Sequence, residues 1–416
     1  MTTSRMTGFY RLSIVERRRL LADTLELSPA ETGALGGAGA LPLAVADSMV
    51  ENAIGTFALP LGVALNFRVN GRDRVIPMVV EEPSVIAAAS NAALIARAGG
   101  GFTAEADPAV MIGQIQLVDV PDPAAAMERI VAARTRLLLA AETLTPGLCR
   151  RGHGPRGVEL RLVRPPGGAA MVVVHVLLDT GDAMGANLVN TLVEGLAPLV
   201  AEIAGGTACL RIVSNLADRR LARATVRIPF AALGTGGIEG AAVAARIVSA
   251  AELAANDPYR AATHNKGIMN GIDALAVATG NDWRALEAGA HAWAARAGRY
   301  GSLSTWTTEG GHLAGALELP MAVSTVGRSS ARTRAWPSRS ACSTSSARAS
   351  WPRCSPRSDS HPTSARSARS SPTASSVGTW RSMNESPARP AALRPRPTPL
   401  SSTCMHASAD DGRLVA

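Results

Sequence analysis

Between residues 109 and 213 the chain alternates strand-length and helix-length apolar segments in an order that few architectures accommodate. Ala109 to Val118 reads as a strand and Asp122 to about Ala141 as a helix. Gly157 to Leu162 and Ala169 to Leu178 read as two strands joined by a Pro165-Pro166-Gly167-Gly168 turn. Ala183 to Ile203 reads as a helix and Ala208 to Val213 as a strand. This βαββαβ order predicts a ferredoxin-like split unit, an open sheet with helices on one face, inserted at about 108–215. No Gly-x-Gly-x-x-Gly follows a strand, which argues against a Rossmann domain.

The flanks read differently. Residues 14–27 form an amphipathic helical pattern, and 36–98 mix Gly-rich turns with short apolar runs before an Ala-rich helix from Ser84. Asp257 is a good N-cap and Pro258 a good first residue for a helix to about Ala278. Thr279-Gly280-Asn281 breaks it, Asp282 opens another helix to about Ala297, and strands follow near 302–307 and 312–319. The expectation is an α+β chain: a large Ala-rich helical and mixed domain, 1–107 plus 216–326, surrounding a small domain. At 3% aromatic content its core must be built from Ala, Val, Leu and Ile.

Residues 327–416 break with this pattern. They hold 14 Arg, no Lys, 22 Ser and 10 Pro, with a formal charge of +10, while the first 326 residues carry −1. The chain's basic balance therefore belongs to the tail, and a nucleic-acid-binding body is excluded as the default reading. Without periodicity or large apolar content the tail is expected to be disordered. It also lacks the interleaved aromatics of a single-strand binder, so no nucleic-acid partner is expected. The longest apolar runs are strand-sized, Arg17, Arg18 and Arg19 interrupt the first, and the five cysteines show no metal or redox spacing. A cytoplasmic protein is expected, with no membrane association and no metal.

Lys266 is the single lysine beside 41 arginines. A compact ammonium whose pKa responds to its surroundings does what a flat, permanently charged guanidinium cannot. It stands in Thr263-His264-Asn265-Lys266-Gly267-Ile268-Met269-Asn270-Gly271, with Asn270 one turn on and Arg260 earlier on the same helix. Asp282 is either a plain N-cap or a functional carboxylate, and Glu81-Glu82 ahead of Pro83-Ser84 is either a solvated pair at a helix start or part of a site. Glu82, Lys266 and Asp282 together would make a buried carboxylate–ammonium–carboxylate set suited to proton transfer. Asp182-Ala183-Met184-Gly185-Ala186-Asn187 follows a strand and opens a helix, where small residues let a pyrophosphate approach free amides.

These segments are familiar as a set. Glu51-Asn52-Ala53-Ile54-Gly55-Thr56-Phe57, Val79-Val80-Glu81-Glu82-Pro83-Ser84, Asp182 to Asn187, Asp257 to Gly271 and Thr279 to Trp283 resemble class II, bacterial 3-hydroxy-3-methylglutaryl-coenzyme A (HMG-CoA) reductase, over about residues 9–326. The resemblance implies an oxidoreductase that interconverts the thioester and mevalonate plus coenzyme A by two hydride transfers through a mevaldehyde-level intermediate. It implies a nicotinamide cofactor on the small domain, NADH favoured with NADPH as the alternative, and Glu142 as the acidic residue near the ribose. It implies catalytic roles for Glu82, Lys266 and Asp282. Arg260, Ser84 and Asn270 would hold the hydroxymethylglutaryl group, and Arg11 the coenzyme A phosphates. Asp182, Met184, Gly185, Ala186, Asn187 and Asn215 would line the dinucleotide. A homodimer, or an oligomer built from dimers, is implied, and no metal.

The resemblance also implies a C-terminal flap with a Gly-His-Met-Ala-Leu-His-like motif whose histidine protonates the departing thiolate. The tail has none; His361 and His406 sit in other contexts. Codons for Val377 to Ser386, read from the third base, permit Gly-His-Met-Ala-Leu-His-Glu-Arg-Val. The same shift from Val326 to Arg334 permits a family-like Thr-His-Pro. The expectation is a frame-shifted C-terminus after about residue 326. The alternative function is a catalytically impaired homodimer that still binds coenzyme A esters or NAD(H).

Overall fold

The computed structural model describes residues 3–35 and 41–325. The expected disordered tail lies outside the described residues. Helix α1 (Ile14–Leu25) starts at a capping box: Ser13 accepts from the Glu16 amide, and Glu16 reaches back to the Ser13 amide. Short helices α2 (Pro29–Leu35) and α3 (Leu43–Met49) precede hairpin strands β1 (Leu61–Val69) and β2 (Arg72–Val79), helix α4 (Val85–Ala96) and strand β3 (Phe102–Ala106).

Strand β4 (Val110–Val118), helices α5 (Pro123–Ala132), α6 (Arg134–Leu144) and α7 (Pro146–Cys149), strands β5 (Gly154–Val163) and β6 (Met171–Asp179), helix α8 (Ala186–Ala204) and strand β7 (Thr207–Ser214) follow. The sheet order is β5-β6-β4-β7 and every neighbouring pair is antiparallel. Each helix-linked pair, β4 with β5 and β6 with β7, is therefore split by one strand, as the βαββαβ order predicts. One expected helix is two: residues 122–141 break at Ala133, at φ −86 and ψ 5, with no Pro or Gly to announce it.

Helix α8 turns Val189, Leu192, Val193, Leu196 and Val200 inward, at helical spacing, onto Met111, Ile115 and Leu117 of β4 and Val174 and Val176 of β6. A Cβ at Gly113 would meet Val193 at 2.4 Å and Val189 at 2.7 Å, so the close seat of α8 on β4 needs glycine there. The opposite strand face carries Gln114, Gln116, Glu159, Arg161 and His175, the alternation of a sheet covered on one side. Leu196 is fully enclosed, and Leu196→Ala is expected to cost about 2–5 kcal/mol. Chemical denaturation checks this; a loss below about 0.5 kcal/mol, the level of a surface change, would contradict the packing.

The chain then forms β8 (Leu221–Pro229), α9 (Gly240–Asn256), α10 (Pro258–Ala278), α11 (Trp283–Ala294), β9 (Ser304–Glu309) and β10 (His312–Pro320). The larger sheet runs β2-β1-β3-β8-β10-β9, with β1 and β3 parallel through Val69 and Phe102 and the rest antiparallel. Helix α10 lies among β2, α4, α9 and α11. The architecture is α+β, as expected. Among the described residues Cys149 and Cys209 are free thiols, and no helix is long and apolar enough to cross a membrane.

Candidate active site

Asp257 accepts a hydrogen bond from the Arg260 amide at 2.8 Å and Pro258 takes the first helical position, so α10 starts where its sequence predicts. On that helix Lys266 Nζ donates to Glu82 Oε2 at 2.7 Å, joining residues 184 apart in sequence. Glu82 sits in the turn between β2 and α4. Ser84 opens α4 in the left-handed region, at φ 69 and ψ −16, and its hydroxyl turns onto the Pro83 carbonyl instead of capping the helix. Left-handed backbone at a non-glycine residue is a strain that tends to mark functional sites.

The Lys266 and Glu82 side chains are 59% and 48% exposed. An ion pair in such a setting contributes at most about 1 kcal/mol. The one lysine is thus placed in a contact that stabilises the fold little, and chemistry explains it better than stability does. This corrects the expectation of a buried set of three. Asp282 stands apart: it caps α11 through the Ala285 amide at 3.2 Å and lies 3.6 Å from Arg284. Lys266 precedes the last residue of α10 by twelve positions, roughly 18 Å of helix, so within one chain Asp282 faces other groups.

Asn270, half-buried, is one turn beyond Lys266, and Arg260 lies in the first turn of α10. Burial, and then the Arg260 charge, hold the His264 imidazole below its usual pKa, and it is hydrogen-bonded to Ser304 at 2.8 Å. Arg11 is exposed at the N-terminal end, its Nε donating to the Tyr10 hydroxyl at 3.0 Å.

The second group of candidates surrounds the start of α8. Gly185, at φ 100, precedes the helix and offers no side-chain cap. A Cβ there would meet Thr180 at 2.4 Å. A helix N-terminus of this kind fits a pyrophosphate. Asp182, Met184, Ala186 and Asn187 belong to the same turn, and Asn215 directly follows β7 beneath α8. Thr325, the last described residue, donates from its hydroxyl to Asp182 Oδ1 at 3.2 Å. Glu142 is exposed in the last turn of α6.

Two anchors of this turn carry no local signal in the sequence. Buried Arg220 donates to Thr180 Oγ1 at 3.2 Å, to the Ala183 and Met184 carbonyls at 3.1 Å each, and to the Val323 carbonyl. Asp179 accepts from Arg156 at 2.7 Å and from the Gly181 amide at 3.0 Å, with His153 at 3.2 Å. Burial acts to raise the Asp179 carboxyl, but these partners together hold it below its usual range. A cavity of about 280 Å³ opens between Gly181, Asp182 and Arg220 on this side and Ile272 and Leu275 of α10 on the other. No cluster of metal-ligating side chains is present among the described residues.

The family described as hydroxymethylglutaryl-coenzyme A reductase matches residues 13–342. The chain belongs to the HMG-CoA reductase family. It is 48% identical over 326 residues to the HMG-CoA reductase of Archaeoglobus fulgidus, covering 78% of this chain and 73% of that protein. The fold is similar to the HMG-CoA reductase of Streptococcus pneumoniae, with a TM-score of 0.76 and 42% identity, over 79% of this chain and 78% of that one. A further structure of the class II reductase from that organism, described as bound to NADPH in open conformations, matches with the same score and identity over 91% of its length. The reductase match runs past residue 326 into the first part of the tail.

Proposed function

We propose that this chain interconverts 3-hydroxy-3-methylglutaryl-CoA with mevalonate and coenzyme A. The observation that carries the reading is the 2.7 Å contact between Lys266 and Glu82, in a reductase-family chain that has no other lysine. Lys266 faces the thioester carbonyl, and its ammonium offsets the negative charge that builds on that oxygen as the carbon becomes tetrahedral. Glu82, already hydrogen-bonded to Lys266, delivers the proton to the reduced oxygen. Asp282, which stands apart from both within one chain, tunes their protonation across the interface of the homodimer proposed below. Arg260, Ser84 and Asn270 orient the hydroxymethylglutaryl group, and Arg11 meets the coenzyme A phosphates.

A nicotinamide dinucleotide, when bound, supplies or accepts the hydride. Asp182, Met184, Gly185, Ala186, Asn187 and Asn215 hold it, with its pyrophosphate at the start of α8. Residues 108–215 are the cofactor module, and 1–107 with 216–326 hold the thioester. NADH is the preferred form, since an exposed carboxylate at Glu142 suits ribose hydroxyls and repels a 2′-phosphate. Ile54 and Phe57, in the Glu51–Phe57 motif, are fully or almost fully exposed, as is Tyr259 at the start of α10. A homodimer covers them and completes the site at its interface.

The test is to follow NADH oxidation with the thioester, and cofactor reduction with mevalonate plus coenzyme A. Absence of both reactions with cofactor and thioester still bound would favour the impaired reading over this one; the reductase match supports turnover. Equal kcat/KM for NADPH would remove the role of Glu142. A species that turns over as a monomer in light scattering would remove the dimer.

A further inference from the structure

Behind the Lys266 contact runs a series of hydrogen bonds that the chemistry above does not use. Fully buried Asn265 accepts from the Leu303 amide at 3.0 Å and donates to the Gly301 carbonyl at 2.9 Å and the Tyr300 hydroxyl at 3.0 Å. That hydroxyl lies 2.7 Å from His291 Nδ1, and His291 Nε2 lies 2.6 Å from Glu287 Oε2. Glu287 in turn acts on Asp273, raising its carboxyl. The series leaves α10 beside Lys266, crosses the loop ahead of β9, follows α11 and returns to α10 eight residues further on.

The bonds have one consistent direction. The Asn265 amide nitrogen only donates, so the Tyr300 oxygen accepts from it, and in the neutral His291 tautomer with its hydrogen on Nε2 the Tyr300 hydrogen goes to Nδ1. His291 Nε2 then carries the other hydrogen and donates it to Glu287. Asp273 Oδ1 is buried with no donor facing it, which favours the uncharged acid on that residue.

We propose that Asn265, Tyr300, His291, Glu287 and Asp273 form a clamp between α10 and α11 that positions Lys266, and that an uncharged Asp273 keeps it closed. For the catalytic meaning of Lys266 this rests on the reductase reading. Burial, and then Glu287, push the Asp273 carboxyl up to about 8. Of the elements against α10, α4 has no ionisable side chain, α9 carries Arg246 and Glu252, β2 carries Arg72, Asp73 and Arg74, and α11 carries Arg284, Glu287 and His291; Glu287 is the charge that acts on Asp273. In the unfolded chain an aspartate ionises near ~4. Between that value and about 8 the folded chain holds a proton that the unfolded chain has released. Stability from this group is therefore greatest below the window and is lost as pH rises through it.

The experiment uses the full chain and two substitutions. Tyr300→Phe deletes the one oxygen that joins Asn265 to His291 Nδ1; turnover is expected to fall roughly ten- to a hundredfold with KM for the thioester little changed, as for a displaced reacting group. Because Lys266 is the only lysine, its reaction rate with trinitrobenzenesulfonate, mapped by mass spectrometry, reads its setting without any turnover. That rate is expected to rise in Tyr300→Phe. Asp273→Asn keeps a donor toward Glu287 and removes the ionisation. It is expected to match the wild type near neutral pH and to lose the extra Lys266 labelling that the wild type gains as pH passes about 8. If Tyr300→Phe fails to fold, Asp273→Asn carries the test. A wild type that labels as described but does not turn over overturns the reductase reading and supports the clamp. Unchanged labelling, with the same pH dependence in every variant that folds, overturns the clamp whatever the turnover.

Discussion

Lys266→Arg is expected to abolish reductive turnover while leaving the fold intact. The ammonium reaches Glu82 with a single 2.7 Å contact. A guanidinium is wider and flat, so it cannot occupy the same point against both Glu82 and the thioester oxygen. Misplacing one donor to a developing oxyanion costs about 3 kcal/mol or more of barrier, upward of roughly a hundredfold in rate. The exposed ion pair itself is worth little, so the unfolding midpoint should barely move. Steady-state kinetics beside thermal unfolding separate the two effects. Near-normal turnover in Lys266→Arg would end the argument from the single lysine.

Shifting the reading frame by one base after codon 326 is expected to raise turnover by about a hundred- to ten-thousandfold, the usual contribution of a positioned general acid. The tail has no histidine in a flap-like motif, whereas the shifted codons permit one. The Ser, Arg, Pro and Ala bias of the tail is what a GC-rich gene yields out of frame. Thr325 is hydrogen-bonded to Asp182, so a restored segment would begin beside the proposed dinucleotide turn. Replacing the restored histidine by Asn should cancel the gain. Resequencing that confirms the present frame, or equal turnover of both chains, would overturn this proposal.

What was legible in the sequence was local. The βαββαβ order emerged because strand and helix periods, and the Pro165–Gly168 turn, are set by neighbours a few residues apart. Asp257-Pro258 marked the start of α10 for the same reason. The larger sheet was mostly hidden: of its strands only β9 and β10 were expected. Strands such as Phe102–Ala106 and Leu221–Pro229 mix small and polar side chains, and the pairing Phe102 with Val226 spans more than a hundred residues.

The candidate site divides along the same line. Sequence by itself singled out Lys266, Glu82 and the Asp182–Asn187 turn, because a unique lysine and a strand-to-helix turn of small residues are visible without a fold. Only the tertiary structure decided that Lys266 meets Glu82, that Asp282 stands apart within one chain, and that the pair is open to solvent. It also revealed Arg220 and the Asn265–Asp273 series, whose members look like ordinary surface residues in the sequence. The physical reason is distance along the chain. Periodicity and capping act over one or two turns, whereas a buried charge or an uncharged buried acid is defined by partners that folding brings from elsewhere.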